Sequence, residues 1–139
     1  MKKKKIKSLI FGISGQDGSY LSHFLINKGY DVYGATRNSS KNNLKNLVRL
    51  GILKKVKIIK CNIIDFPGIK KLIKIIKPDE IYYLCGSSSV TQSFTNPVDS
   101  FKSNTLGLLN ILDIVKKTNK KIKVFNAVSG QFYGNRKNN

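Results

Sequence analysis

Acidic side chains are scarce in this 139-residue chain: 7 Asp and Glu stand against 26 Lys and Arg, for a formal charge of +19. A positive field of that size suits a polyanionic partner. Arginine is scarce too, confined to Arg37, Arg49 and Arg136. Planar recognition of phosphates and base edges favours the guanidinium fork over the lysine point charge. Lysine, isoleucine and asparagine abound together, the composition an AT-rich genome imposes on any protein. The charge therefore reads as solvated lysine faces, and no nucleic-acid partner is expected.

Cysteine and histidine are equally sparse. Cys61 and Cys85 form no CxxC or metal spacing, and His23 has no cluster around it. Two reduced thiols and no metal are the expectation, as in a cytoplasmic protein. No apolar run approaches the length that crosses a bilayer. Met1-Lys2-Lys3-Lys4-Lys5 has the charge of a signal-peptide start, but the apolar stretch after it is short and meets Gly12 without a cleavage-type tail. A soluble, cytoplasmic chain with no membrane partner is expected. Its length fits one domain, which buries roughly two-thirds of its unfolded surface without needing metals or disulfides.

The chain does show alternating strand-like and helix-like segments joined by short loops. Runs rich in Ile, Val, Leu, Phe or Tyr mark strands near 6–12, 31–36, 55–61, 80–85 and 122–128, the pattern of parallel strands buried on both faces. Helical patterns fall at 17–29, 42–51, 66–77 and 97–118, two of them ending on Gly29 and Gly51 and one before Pro78. Ile69, Leu72, Ile73 and Ile76 repeat at helical spacing with lysines opposite, as in a crossover helix with a solvated face. The series implies an α/β doubly wound parallel sheet, order 3-2-1-4-5, with ligands at the carboxyl ends of the strands near the first.

Between the first strand and first helix stands Gly12-Ile13-Ser14-Gly15-Gln16-Asp17-Gly18. Gly12 allows the sharp turn, Gly15 allows backbone to approach a pyrophosphate, and Gly18 allows the helix to pack against the strand. The helix start adds free N–H groups and a partial positive charge, so this segment reads as a dinucleotide cradle. The second strand, Asp31 to Thr36, ends without the acidic residue that usually accepts from the ribose 2′-hydroxyl of NAD. Arg37-Asn38-Ser39-Ser40 follows instead, a donor set suited to a 2′-phosphate. NADP is therefore favoured over NAD.

Gly12 to Leu21 with its Gln16-Asp17-Gly18-Ser19-Tyr20-Leu21 string, Lys28 to Gly34 and Arg37 to Ser40 together carry a family resemblance. Pro78 to Leu84, Ser88 to Phe94 and Leu106 to Leu112 continue it over nearly the whole chain. The chain resembles the GDP-mannose 4,6-dehydratases, members of the extended short-chain dehydrogenase/reductase family with a Rossmann-like fold. The resemblance implies that Gly12 to Asp17 bind the pyrophosphate and Arg37 to Ser40 the 2′-phosphate. It implies that Asn62 and Ile63 flank the adenine, with Asn62 where the family usually has Asp. Leu84, Cys85, Gly86, Ser87 and Ser88 match the loop under the nicotinamide ribose.

The resemblance also places Ser129 at the family's catalytic Ser or Thr, where its hydroxyl would hydrogen-bond the sugar oxygen being oxidised. Gln131 stands where the family has Glu. Dehydration needs a group that takes up and releases a proton, and an amide does neither at neutral pH. Tyr133 and Lys137 spell Tyr-x-x-x-Lys, but Tyr133 matches the family's Tyr-Gly just after the Ser129 segment and Gly134-Asn135 is poor helix sequence, so they are read as a decoy for its downstream pair.

The expected organisation is an NADP-binding domain over 1–134 and a polar tail over 135–139, a truncated product or fragment lacking the later strands and the sugar-binding domain. A fragment of that kind would leave Val124, Phe125 and Val128 on an open, apolar sheet border. In the full enzyme, a homo-oligomer, the substrate would be GDP-mannose, and this chain alone would be inactive. The alternatives are an NAD(P)-dependent nucleotide-sugar epimerase or reductase, and a non-catalytic NADP-binding module.

Overall fold

A computed structural model of the chain describes residues 4–86 and 90–128, apart from the side chains of Val90 and Gln92. In chain order it contains β1 (Lys7–Phe11), α1 (Gln16–Asn27), β2 (Asp31–Thr36), α2 (Lys45–Arg49), β3 (Lys57–Lys60), α3 (Phe66–Ile76), β4 (Glu80–Tyr83), α4 (Val90–Thr95), α5 (Pro97–Phe101), a π-helical turn (Lys102–Leu106), α6 (Gly107–Thr118) and β5 (Lys123–Asn126). The five strands form one parallel sheet in the order β3-β2-β1-β4-β5. This is the doubly wound, Rossmann-like architecture the alternating pattern predicts.

Period-two alternation divides the core. In β1, Leu9 and Phe11 join a cluster with Ile69, Ile73 and Ile76 of α3 and Ile111, Ile114 and Val115 of α6. Ile10 points the other way, into a cluster with Ile13, Leu25 of α1 and Leu47 of α2. Both faces of the central strand are thus covered, as a parallel sheet requires.

Helix ends follow local chemistry. Asp65 caps α3, its Oδ1 accepting from the Gly68 N–H at 3.1 Å, and the helix stops at left-handed Lys77 before Pro78. Gly29 at φ 83° closes α1, donating its N–H to the Ile26 carbonyl at 2.9 Å. The segment at 42–51 is helical only over Lys45–Arg49, because residues before it fold into turns on Ser40, whose carbonyl accepts from both Asn43 and Leu44 N–H at 3.1 Å.

The pattern at 97–118 is helical throughout, as expected, but carries a π turn at Lys102–Leu106 between α5 and α6. The Tyr83 hydroxyl donates to the Ser103 carbonyl, within the π turn. Gly107 admits that ring, since a Cβ there would overlap the Tyr83 hydroxyl and meet Ile63 Cβ at 3.1 Å. Helix α4 has no expectation to match, its sequence being polar and without apolar periodicity. Among the described residues β5 is a sheet edge, and Phe125 and Val128 are 55% and 62% exposed while Val124 packs against the core.

Strand registers align the carboxyl ends: Phe11 lies opposite Ala35 and Tyr83, Thr36 opposite Lys60, and Tyr83 opposite Asn126. Gly34 of β2 helps seat the loop that follows β1, because a Cβ there would lie 2.5–2.9 Å from three carbons of fully buried Ile13. Replacing Gly34 by Ala should therefore cost about 1–3 kcal/mol of stability, the usual range for overpacking, and lower the urea midpoint accordingly. An unchanged midpoint would show that Ile13 yields freely.

Candidate functional site at the carboxyl ends of the strands

The loops leaving β1, β2, β3 and β4 meet along one edge of the sheet. Gly12 donates its N–H to the Ala35 carbonyl at 3.2 Å, and the Leu84 N–H donates to the Phe11 carbonyl at 3.0 Å. Gly12 takes φ 87°, and a Cβ on it would sit 2.7 Å from the Leu84 carbonyl oxygen. Only glycine satisfies both the conformation and the space.

The turn then closes on itself, with the Gly15 N–H donating to the Gly12 carbonyl at 3.1 Å. Gly18 is buried where a Cβ would overlap the Gly12 carbonyl and stand 2.9 Å from Ile13 Cα, so α1 packs directly on the turn. Gly15 occupies the N-cap of α1 and has no side chain to satisfy the first-turn donors. Gly15, Gln16 and Asp17 are exposed, Ser14 is half-buried, and the Ile13 side chain is sealed in the core. The exposed first turn thus offers N–H groups and the positive end of the helix dipole to an anion.

The β2 end supplies the charge. Arg37 is exposed and lines a cleft of about 550 Å³ with Lys60, Cys61, Asn62, Asp65 and Lys71, over a floor that includes Ile59 and Leu72. The Cys61 N–H donates to the Thr36 carbonyl at 2.9 Å, which sets the β3 loop beside Arg37. Asp65 is the one carboxylate on that cleft, and it is engaged in capping α3. Asn38 accepts from the Ser40 N–H at 2.9 Å through Oδ1, so its NH₂ group stays available as a donor. Ser39 and Ser40 are exposed on the same loop. Asn62 is exposed, its Oδ1 accepting from the Ile64 N–H at 3.3 Å, whereas Ile63 is only 8% exposed and packs in the core.

On the β4 side, Leu84 and Cys85 are half-buried and Gly86 is exposed. A Cβ on Gly86 would lie 3.2 Å from Asn104 Oδ1, which brings the π turn against this loop. Burial pushes the Cys85 thiol up to about 12, Arg37 pulling the other way and Cys61 adding to the rise. Burial, then Asp65, raises the Cys61 thiol. Both side chains are therefore neutral at physiological pH and act as apolar wall. Burial also raises the Tyr83 phenol, and burial with the 2.8 Å hydrogen bond to Glu80 raises that of Tyr82. Neither phenol is poised for proton transfer.

The fold thus brings the glycine turn, the Arg37 loop, Asn62 and Leu84 to Gly86 to one edge. Ser87, Ser88, Ser129, Gln131, Tyr133 and Lys137 lie outside the described residues, as does the boundary expected at 134. Ala127 donates to the Tyr83 carbonyl at 3.2 Å, so the segment leading to Ser129 leaves from beside β4. Asn46, Lys71 and Asn104 border the site without any sequence pattern to announce them. For Asn104, a helix run next to a glycine-bearing loop is the signal that could have been followed. Among the described residues no group of three or more His, Cys, Asp or Glu could hold a metal, and no helix is long and apolar enough to cross a membrane.

The chain is similar in sequence and in fold to known proteins. The family model for GDP-mannose 4,6 dehydratase matches residues 9–139. GDP-mannose 4,6 dehydratase 1 of Arabidopsis thaliana is 35% identical over 96% of this chain and 40% of its own length. The GDP-mannose 4,6 dehydratase of Homo sapiens is 35% identical over 96% of this chain and 38% of its own. The chain thus spans about 40% of the length of the curated relatives it matches. A UDP-glucose 4-epimerase from Stenotrophomonas maltophila, solved with NAD and formylated UDP-arabinopyranose, superposes with a TM-score of 0.81 at 21% identity, covering 96% of this chain and 40% of that one. The UDP-glucose 4-epimerase of Thermotoga maritima, solved with UDP-glucose, gives 0.77 at 23% identity over 90% of this chain and 38% of that one. These structures share the fold.

The raised Cys85 thiol makes stability fall with alkali. Below its unfolded value of 9.0 both states keep the proton; from there to about 12 the unfolded chain loses a proton that the folded chain retains. The wild-type urea midpoint should therefore fall more steeply with pH across that window than the midpoint of Cys85→Ala. Parallel slopes would contradict the burial of the thiol.

Proposed function

Because the chain belongs to the GDP-mannose 4,6-dehydratase family, we propose that it forms the NADP-binding part of an enzyme converting GDP-mannose to its 4-keto-6-deoxy form. The observation that carries this reading is the single edge on which an uncapped helix start, after β1, and an exposed arginine, after the neighbouring parallel strand β2, stand at the carboxyl ends of the strands. A dinucleotide has that layout of charge, pyrophosphate at its middle and 2′-phosphate at its adenosine end.

The residues fit the cofactor by shape as well. Gly12 and Gly15 leave a cradle that side chains would fill, and first-turn N–H groups of Gln16 and Asp17 face the pyrophosphate position in this reading. Arg37, with Asn38, Ser39 and Ser40, takes the 2′-phosphate, and no acidic side chain follows β2 to repel it. Asn62 takes the adenine edge through its amide, while Ile63 supports that contact from the core. Leu84, Cys85 and Gly86 form the neutral wall beside the nicotinamide ribose, and the family resemblance assigns Ser87 and Ser88 to the same loop.

The chemistry supplied by bound NADP is acceptance and return of a hydride at the sugar. Ser129 would hydrogen-bond the hydroxyl oxygen on C4, the carbon that gives up its hydride as it becomes a ketone. Gln131 hydrogen-bonds but transfers no proton, so elimination of water across C5–C6 falls to another group. That substitution favours, as the second reading, an NAD(P)-dependent epimerase or reductase of nucleotide sugars, which needs no such acid. Cys61 and Cys85 are free thiols, in keeping with a cytoplasmic setting. A homo-oligomeric enzyme with no metal completes the proposal.

Calorimetry with Arg37→Ala tests the cofactor choice. NADP affinity should fall about tenfold or more, the worth of a charged hydrogen bond, while NAD affinity changes by less than about twofold. Equal losses for the two dinucleotides would remove Arg37 from the 2′-phosphate site.

A further inference from the structure

We infer that Asn46, at the start of α2, is a positioning residue for the pyrophosphate turn, an inference that rests on the dinucleotide reading of that turn. The Asn46 Nδ2 donates to the Ser14 carbonyl at 3.1 Å across 32 residues of sequence. The Ser14 carbonyl and the Gly15 N–H belong to one peptide plane, and a trans peptide points them in opposite directions. Asn46 draws the carbonyl toward α2, and the Gly15 N–H is thereby turned to the Gly12 carbonyl, its acceptor at 3.1 Å. Both ends of that plane are then held. The next N–H groups, at the uncapped start of α1, remain for the ligand.

The clamp has a firm anchor. Leu47, the neighbour of Asn46, is fully buried in the cluster that contains Ile10 and Ile13. Helix α2 also continues the loop that begins at Arg37, and Asn43 on that loop donates through Nδ2 to Thr36 Oγ1 at 3.2 Å and to the Asn38 carbonyl. Asn46 thus ties the 2′-phosphate loop to the pyrophosphate turn. It would act on the pyrophosphate that NADP and NAD share, not on the phosphate that separates them.

The test uses the full chain with NADP and NAD in calorimetry, and amide hydrogen exchange of Gly15 without ligand. Asn46→Ala removes the donor, and Asn46→Asp removes it while keeping the shape. Each should weaken both dinucleotides by about tenfold, leave the NADP-to-NAD ratio unchanged, and speed Gly15 exchange by a similar factor while β1 amides stay protected. Asn46→Gln, which retains an amide donor, should recover part of both effects. Wild-type affinity in either donor-less variant, a loss confined to NADP, or unchanged Gly15 exchange would overturn the inference. Failure of the unsubstituted chain to bind either dinucleotide would overturn the cofactor reading itself, and Gly15 exchange would still report whether Asn46 orders the turn.

Discussion

The site depends on one close backbone approach. Gly12 leaves β1 with φ 87° and lies so near the Leu84 carbonyl that a Cβ would reach to 2.7 Å from it. The same residue donates to Ala35 on the other side, so one peptide locks the ends of β4 and β2 to the end of β1. Everything downstream inherits that position. Gly18 sets α1 directly on the turn, Gly34 makes room for Ile13 beneath it, and Asn46 holds its outer carbonyl. These contacts convert a flexible glycine loop into a fixed array of donors, and a preorganised array spends less free energy on ordering when an anion arrives.

Charge has a local meaning here and a diffuse one. The large lysine excess lies mostly on solvated faces, such as Lys70, Lys71 and Lys74 on exposed positions of α3, and little of it forms ion pairs among the described residues. At physiological salt such charges are screened beyond roughly 8 Å. Arg37 differs because it borders a cleft whose only carboxylate is already engaged by the α3 cap. Near it, burial keeps Cys61 and Cys85 as neutral thiols, so the edge offers cations to phosphates and apolar surface to rings.

Much of this was legible in the sequence, for physical reasons that differ by element. Strands buried on both faces read as apolar runs, and the helix over Phe66–Ile76 read from its periodicity and its Pro78 stop. The glycine turn read from spacing, because each glycine answers a separate steric demand. The π turn at Lys102–Leu106 did not read, because its contact with Tyr83, whose hydroxyl donates to the Ser103 carbonyl, joins residues distant in sequence. Asn46 was silent for the same reason: its partner at Ser14 lies on another element. Ile63 was legible as part of a motif, but its burial came only with the packing of α6. Local pattern carries the elements and the cradle; long-range hydrogen bonds carry the refinements.

The central claim is that one edge of the sheet is a dinucleotide site running from Asn62 past Arg37 and the glycine turn to Gly86. Titration of the ¹⁵N-labelled chain with NADP, followed by backbone amide shifts, tests it most directly. The account predicts perturbations at Gly12 to Gly18, Arg37 to Ser40, Asn62 and Leu84 to Gly86, with the lysine face of α3 unmoved beyond its cleft-lining residues. Perturbations centred on that lysine face, or none at saturating NADP, would contradict it.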